Sequence, residues 1–189
     1  MPEDVFSNIV DVTRLEEEHR ALLRPGDLLE GRALPRFFHQ VTSWEEAKST
    51  VLTKNFTLAE LLTVDCREAP LLLKYYPHYF PCGLLIFARY LQEFRNRVNA
   101  PVFIAANGGY RSPAHRENSR ASPHAWGTAA NIYRIGDTWL DSSKSIERFA
   151  RIAESIGPEV KTKPFGPRPG ETTDHLHFDI GYVTLEPTS

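Results

Sequence analysis

Three histidines stand in two short stretches whose residue types could hold a metal. His124 lies in Ser122-Pro-His-Ala-Trp-Gly-Thr-Ala-Ala-Asn131, and His175 and His177 lie in Asp174-His-Leu-His-Phe-Asp179. Zinc takes imidazole nitrogen together with carboxylate oxygen or thiolate, and a catalytic zinc keeps one position open for water. An HxH on a strand is also an ordinary polar face, so that pair alone decides nothing. Arg111 follows the glycine loop Asn107-Gly108-Gly109-Tyr110. Its guanidinium fork suits a terminal carboxylate or a polarised carbonyl, and equally a loop-to-core ion pair. Ser122 either bonds a substrate or pins its loop. Tyr110 and Trp126 either wall a cleft or pack, and His115 reads as a solvated loop residue.

The spacing Ser122-x-His124-x-x-Gly127-x-Ala129, followed by a late HxH, resembles the zinc D-Ala-D-Ala carboxypeptidases, the M15 peptidases. Their pattern is SxHxxGxAxD with a C-terminal HxH. Asn107-Gly-Gly-Tyr-Arg-Ser-Pro113 looks like the loop carrying that family's substrate-binding arginine, and Asn55-Phe-Thr-Leu-Ala-Glu60 like an upstream helix start of one branch. The likeness covers roughly residues 55 to 183. It implies a hedgehog/DD-peptidase fold and a zinc ion held by His124, position 131 and His177. It also implies Asp174 as the base on a zinc-bound water, with His175 assisting, and Arg111 on the substrate. Position 131 is Asn where the pattern has Asp. An amide offers only a neutral oxygen, so a His-Asn-His set binds zinc less tightly and is more positive by one charge.

Two functions follow from that resemblance. One is hydrolysis of a short peptide bond in bacterial peptidoglycan, D-Ala-D-Ala or another stem-peptide linkage, with a peptidoglycan peptide or muropeptide as partner. The other is a catalytically silent relative that binds a peptide or partner through the same cleft. A serine hydrolase is disfavoured, because no GxSxG elbow exists.

The elements that must position these residues read as α+β, with a mainly antiparallel central sheet flanked by helices. Ser43 with Glu46, and Thr57 with Glu60, have capping-box spacing and predict short helices over 43–52 and 57–63. Thr13 to Leu23 is helix-like and stops at Arg24-Pro25-Gly26. Leu84, Phe87, Ala88, Leu91, Phe94 and Val98 recur at helical spacing over Gly83 to Asn99. Residues 101–106 read as a buried strand, 127–134 as a second strand, and Ile146 to Ile156 as a helix stopped by Gly157-Pro158. In the last strand, Asp174 to Val183, Leu176, Phe178 and Ile180 take one face while His175, His177 and Asp179 take the other. Strict alternation puts Asp174 opposite His177, so the chain must bend there if the two are to meet. Tyr75, Tyr76, Tyr79 and Phe80 read as an aromatic cluster on the core. Residues 1–54 read as an N-terminal helical appendage, and 55–189 as the peptidase-like domain.

Composition bounds the rest. The chain has 189 residues, 22 Lys+Arg against 24 Asp+Glu, and 41% apolar residues. That is one domain's worth of chain without a global basic field for nucleic acid. No apolar run reaches the roughly 18 residues of a membrane span. Glu3 and Asp4 stand where a secretory signal carries positive charge, so the protein is expected to be cytoplasmic as synthesised. Lysis or signal-independent secretion would be its routes to a cell wall. Cys66 and Cys82 lack CxxC spacing and read as small buried residues.

Overall fold

A computed structural model describes residues 8–62, 76–115 and 121–186. Cys66 and Tyr75, on which two of the sequence readings fall, lie outside them. The class is α+β, and the strands pair antiparallel in two main sheets.

The smaller sheet sets β1 (Ile9–Asp11) beside β4 (Phe37–Val41), and β4 beside β7 (His78–Pro81). Between β1 and β4 come a 3-10 turn at Val12–Arg14, α1 (Glu17–Leu23) and the two-residue strands β2 (Leu28–Leu29) and β3 (Arg32–Ala33). Arg24 ends α1 in the left-handed region, at the predicted stop. α2 (Trp44–Ser49) begins where Ser43 accepts the Glu46 amide. The Glu46 carboxylate bonds Thr42 rather than Ser43, so only half of the expected box forms. Thr57 and Glu60 make the full box, which starts a 3-10 turn at Leu58–Leu61. That turn follows the hairpin of β5 (Val51–Thr53) and β6 (Phe56–Thr57).

The larger sheet is built around β9 (Ala129–Ile135). β12 (Leu176–Asp179) pairs with its first half, and β11 (Lys161–Thr162) lies outside β12. Arg134 and Ile135 pair with both β8 (Val102–Ile104) and β10 (Thr138–Trp139), so these two strands take opposite edges of β9. α3 (Gly83–Val98) and α4 (Ser143–Glu154) run as the apolar periodicity predicts, and Asn99 in the left-handed region ends α3 before Pro101. Leu84, Phe87, Ala88, Leu91 and Phe94 of α3 face the sheet, where Phe87 and Phe94 each stand 5.5 Å from the Phe178 ring. Val12, Leu23, Phe38 and Val41 join this same core, so the first fifty residues share it with the rest. A second cluster, Leu34, Ala125 and Trp126 with Leu29, ties the β2–β3 hairpin to the loop that carries His124.

His39 and His78 lie in adjacent strands of the smaller sheet, buried, with no hydrogen-bond partner on any ring nitrogen. Register pairs His39 with Phe80, so His78 is its diagonal neighbour on the same face. Burial pushes the His78 pKa down to about 4 and lowers that of His39, against which the nearby Glu46 acts. The unfolded chain therefore takes up protons first. Stability from the neutral ring is complete above about pH 6.5 and is lost as pH falls through 4. Unfolding free energy from urea titration is expected to be about 2 to 3 kcal/mol lower at pH 4.5 than at pH 7 through His78. A His78→Phe variant should lose that part of the slope, and an unchanged slope would show that His78 is not its source.

Candidate functional site

Register sets the site. In the β9–β12 ladder His177 stands directly opposite Asn131, and Asp179 follows His177 on the same face. His124 arrives from the other side, on a 3-10 turn at Pro123–Trp126 that Gly127 closes with φ +70°. Thr128 Oγ1 fastens this turn to the segment after β12 by donating to the Gly181 carbonyl, with the Pro123 carbonyl as its alternative acceptor.

The glycine loop is the third component. The Gly108 carbonyl accepts the Asn131 amide at 2.8 Å, and a Cβ on Gly108 would stand 2.7 Å from the Asn131 carbonyl oxygen. A Cβ on Gly109 would overlap the Leu61 carbonyl. Only a chain without side chains here lets the Gly109 carbonyl reach His124 Nδ1, at 2.8 Å. His124 Nε2 is then buried with no hydrogen-bond partner. Its ring lies 5.2 Å from the His177 ring, edge to face. His177 is held on both sides, with Nδ1 2.9 Å from Asn131 Oδ1 and Nε2 3.0 Å from Asp179 Oδ2.

Beside this pair opens a cleft of about 460 Å³ lined by Arg111, Ser122, Lys161, Lys163, His177, Asp179 and Tyr182, among others. Arg111 is buried, and its backbone amide donates to the His124 carbonyl. Three cations and one carboxylate make the cleft positive. Burial, reinforced by Arg111 and His177, keeps the His124 pKa well below the usual imidazole range. Burial also lowers His177, against the pull of Asp179, and lowers Lys163, with the Arg111 charge adding to the effect. Both imidazoles are therefore neutral at pH 7, the form in which imidazole ligates a metal.

Asp174 and His175 precede β12 in a bend, so the chain does turn at the strand's start. His175 Nδ1 lies 2.6 Å from Asp174 Oδ1, and the Asp174 side chain is 81% exposed. Neither is among the residues that line the cleft. Tyr110 sits in the core, edge-on to Phe80 at 5.6 Å, and does not line the cleft. Trp126 is likewise buried, its indole N–H donating to the Ala33 carbonyl. It acts on the cleft through Tyr182, whose ring it meets at 4.9 Å. His115 is buried, not solvated as its polar loop suggested.

The donors that could hold a metal are His124 Nε2, a His177 nitrogen and Asn131 Oδ1. Two imidazoles and an amide are fewer strong ligands than a zinc site uses, and among the described residues no three His, Cys, Asp or Glu side chains gather as a metal cluster. The orphaned, buried Nε2 of a ring whose other nitrogen bonds a backbone carbonyl is nevertheless the preparation that metal-ligating histidines show. No family model matches the chain, and no curated protein or solved structure matches it either.

Lys161, Lys163 and Tyr182 were not singled out in the sequence. β11 and the residue after it supply the lysines: Lys161 pairs with Asp179 across the ladder, and Lys163 follows the strand. A sequence reader would have needed the β11–β12 register to place them.

Proposed function

We propose that this protein is a zinc peptidase-like enzyme of hedgehog/DD-peptidase type that hydrolyses a short peptide carrying a free C-terminal carboxylate, such as a peptidoglycan stem peptide. The observation that carries the reading is the buried, unpartnered Nε2 of His124 beside His177 and Asn131. When bound, zinc would lower the pKa of a water toward neutrality and polarise the substrate carbonyl. The chain's own part is binding and orientation. Arg111, which lines the cleft, suits the terminal carboxylate bidentately, and Lys163 adds a second positive charge to the lining. Ser122 also lines the cleft and can bond the peptide backbone. Asp174 and His175 form a carboxylate-imidazole pair that can accept a proton, provided a substrate draws the bend over the cleft.

One observation favours a second reading, a silent relative that binds a peptide without cutting it. An amide both donates and accepts, so Asn131 turned end for end can satisfy His177 Nδ1 by itself, whereas a carboxylate can only accept. His177 would then be satisfied on both nitrogens without a metal.

The test is zinc content by mass spectrometry of the purified protein, together with cleavage of peptides ending in D-Ala-D-Ala, for the native chain and for His124→Ala. Near-stoichiometric zinc and cleavage, both lost in His124→Ala, is the expected result. A native protein that neither takes up zinc nor cleaves, yet binds the peptides, would establish the silent reading.

A further inference from the structure

The two imidazoles of the proposed centre are each prepared by an oxygen on the far side of the ring, but the oxygens differ. His124 Nδ1 faces the Gly109 carbonyl at 2.8 Å. A carbonyl only accepts, so the proton sits on Nδ1 and the lone pair on Nε2. His177 is served by a carboxylate instead, Asp179 Oδ2, at 3.0 Å from Nε2. Asp179 is fixed in turn: its Oδ1 accepts the Gly181 amide at 2.8 Å, so both oxygens are committed. The two side chains are 4% and 10% exposed, which shields this contact from water and salt. Asp179 is also the one carboxylate among the described residues that bonds a member of the set His124, Asn131 and His177.

From this arrangement we infer that Asp179 is a positioning residue: it holds the proton of His177 on Nε2, turns the Nδ1 lone pair toward Asn131, and brings the centre the negative charge that position 131 lacks. A carboxylate behind a ligating imidazole fixes its tautomer and raises its basicity. The charge a carboxylate at 131 would bring directly arrives here through the ring. Asp179 lies one imidazole away and is no ligand itself, in keeping with the absence of a His/Asp cluster among the described residues. The ligating consequence rests on the zinc reading above, whereas the tautomer does not.

The experiment has two arms. Long-range ¹H–¹⁵N correlation spectra of the metal-free native protein, near pH 7, read the tautomer of each histidine. His177 is expected in the Nε2–H form, and an Nδ1–H form would overturn the inference. The second arm measures zinc affinity by chelator competition for the native chain and Asp179→Asn. An amide supplies one acceptor where the carboxylate uses two, so either Gly181 or Nε2–H loses its partner and the charge is gone. Zinc is expected to bind this variant ten- to a hundredfold more weakly, with His177 shifted toward Nδ1–H. Unchanged affinity and tautomer would overturn the inference. A native protein that takes up no zinc while His177 is Nε2–H would sink the zinc reading and leave the positioning role standing. Zinc uptake with His177 as Nδ1–H would do the reverse.

Discussion

Zinc is expected to bind the Asn131→Asp variant about 100-fold more tightly than the native protein, a gain of about 2.7 kcal/mol. The exchange is nearly isosteric and replaces a neutral oxygen by a charged one, 2.9 Å from His177 Nδ1 in the native chain. Bonds to a charged acceptor are roughly twice as strong as neutral ones, and zinc prefers carboxylate to amide oxygen. Without metal, the new carboxylate and Asp179 would face both nitrogens of His177 and favour its protonated form, so zinc uptake by the variant should release one more proton than in the native chain. Thermal unfolding with and without a chelator should therefore show a larger metal-dependent gap in the variant. Equal affinity in the two proteins would remove position 131 from the donor set and with it the proposed centre.

Phe178→Ala is expected to cost about 3 to 5 kcal/mol, the usual range for emptying a buried aromatic site. Phe178 is fully buried between Phe87 and Phe94 of α3, on the face of β12 opposite His177. The loss is a large part of the roughly 5 to 15 kcal/mol that holds an ordinary domain folded. Urea titration reads it directly, and Phe178→Leu should recover much of it, because most of the volume returns. Indifference to the alanine change would mean that β12 is not held to the sheet through this ring, and the rigid placement of His177 would lose its physical basis.

Legibility differed by element for physical reasons. α3 and α4 were readable because a helix repeats its apolar residues every turn, and Pro101 and Gly157 mark where such a repeat must stop. β12 was readable in its alternation, which set His177 and Asp179 on one face; its length was not, since only Leu176–Asp179 pair as strand. Alternation says nothing about the neighbouring strand. For that reason the Asn131–His177 pair and the two lysines emerged only with the register. Tyr110, Trp126 and His115 show a different gap: residue type beside glycine or in a polar loop does not say whether the side chain turns inward. Composition likewise gave no sign that Val12 and Phe38 would enter the core beneath α3.

The β2–β3 hairpin bears on how the cleft comes into being. Arg32 lies over the Tyr182 ring at 4.3 Å, and the Ala33 carbonyl receives the Trp126 indole N–H. One wall of the cleft is thus completed by contacts that join residues 32 and 33 to residues 182 and 126. Contacts so distant in sequence carry the largest loop-closure cost and form late. The helices and their sheet can therefore be in place while the cleft still lacks this wall.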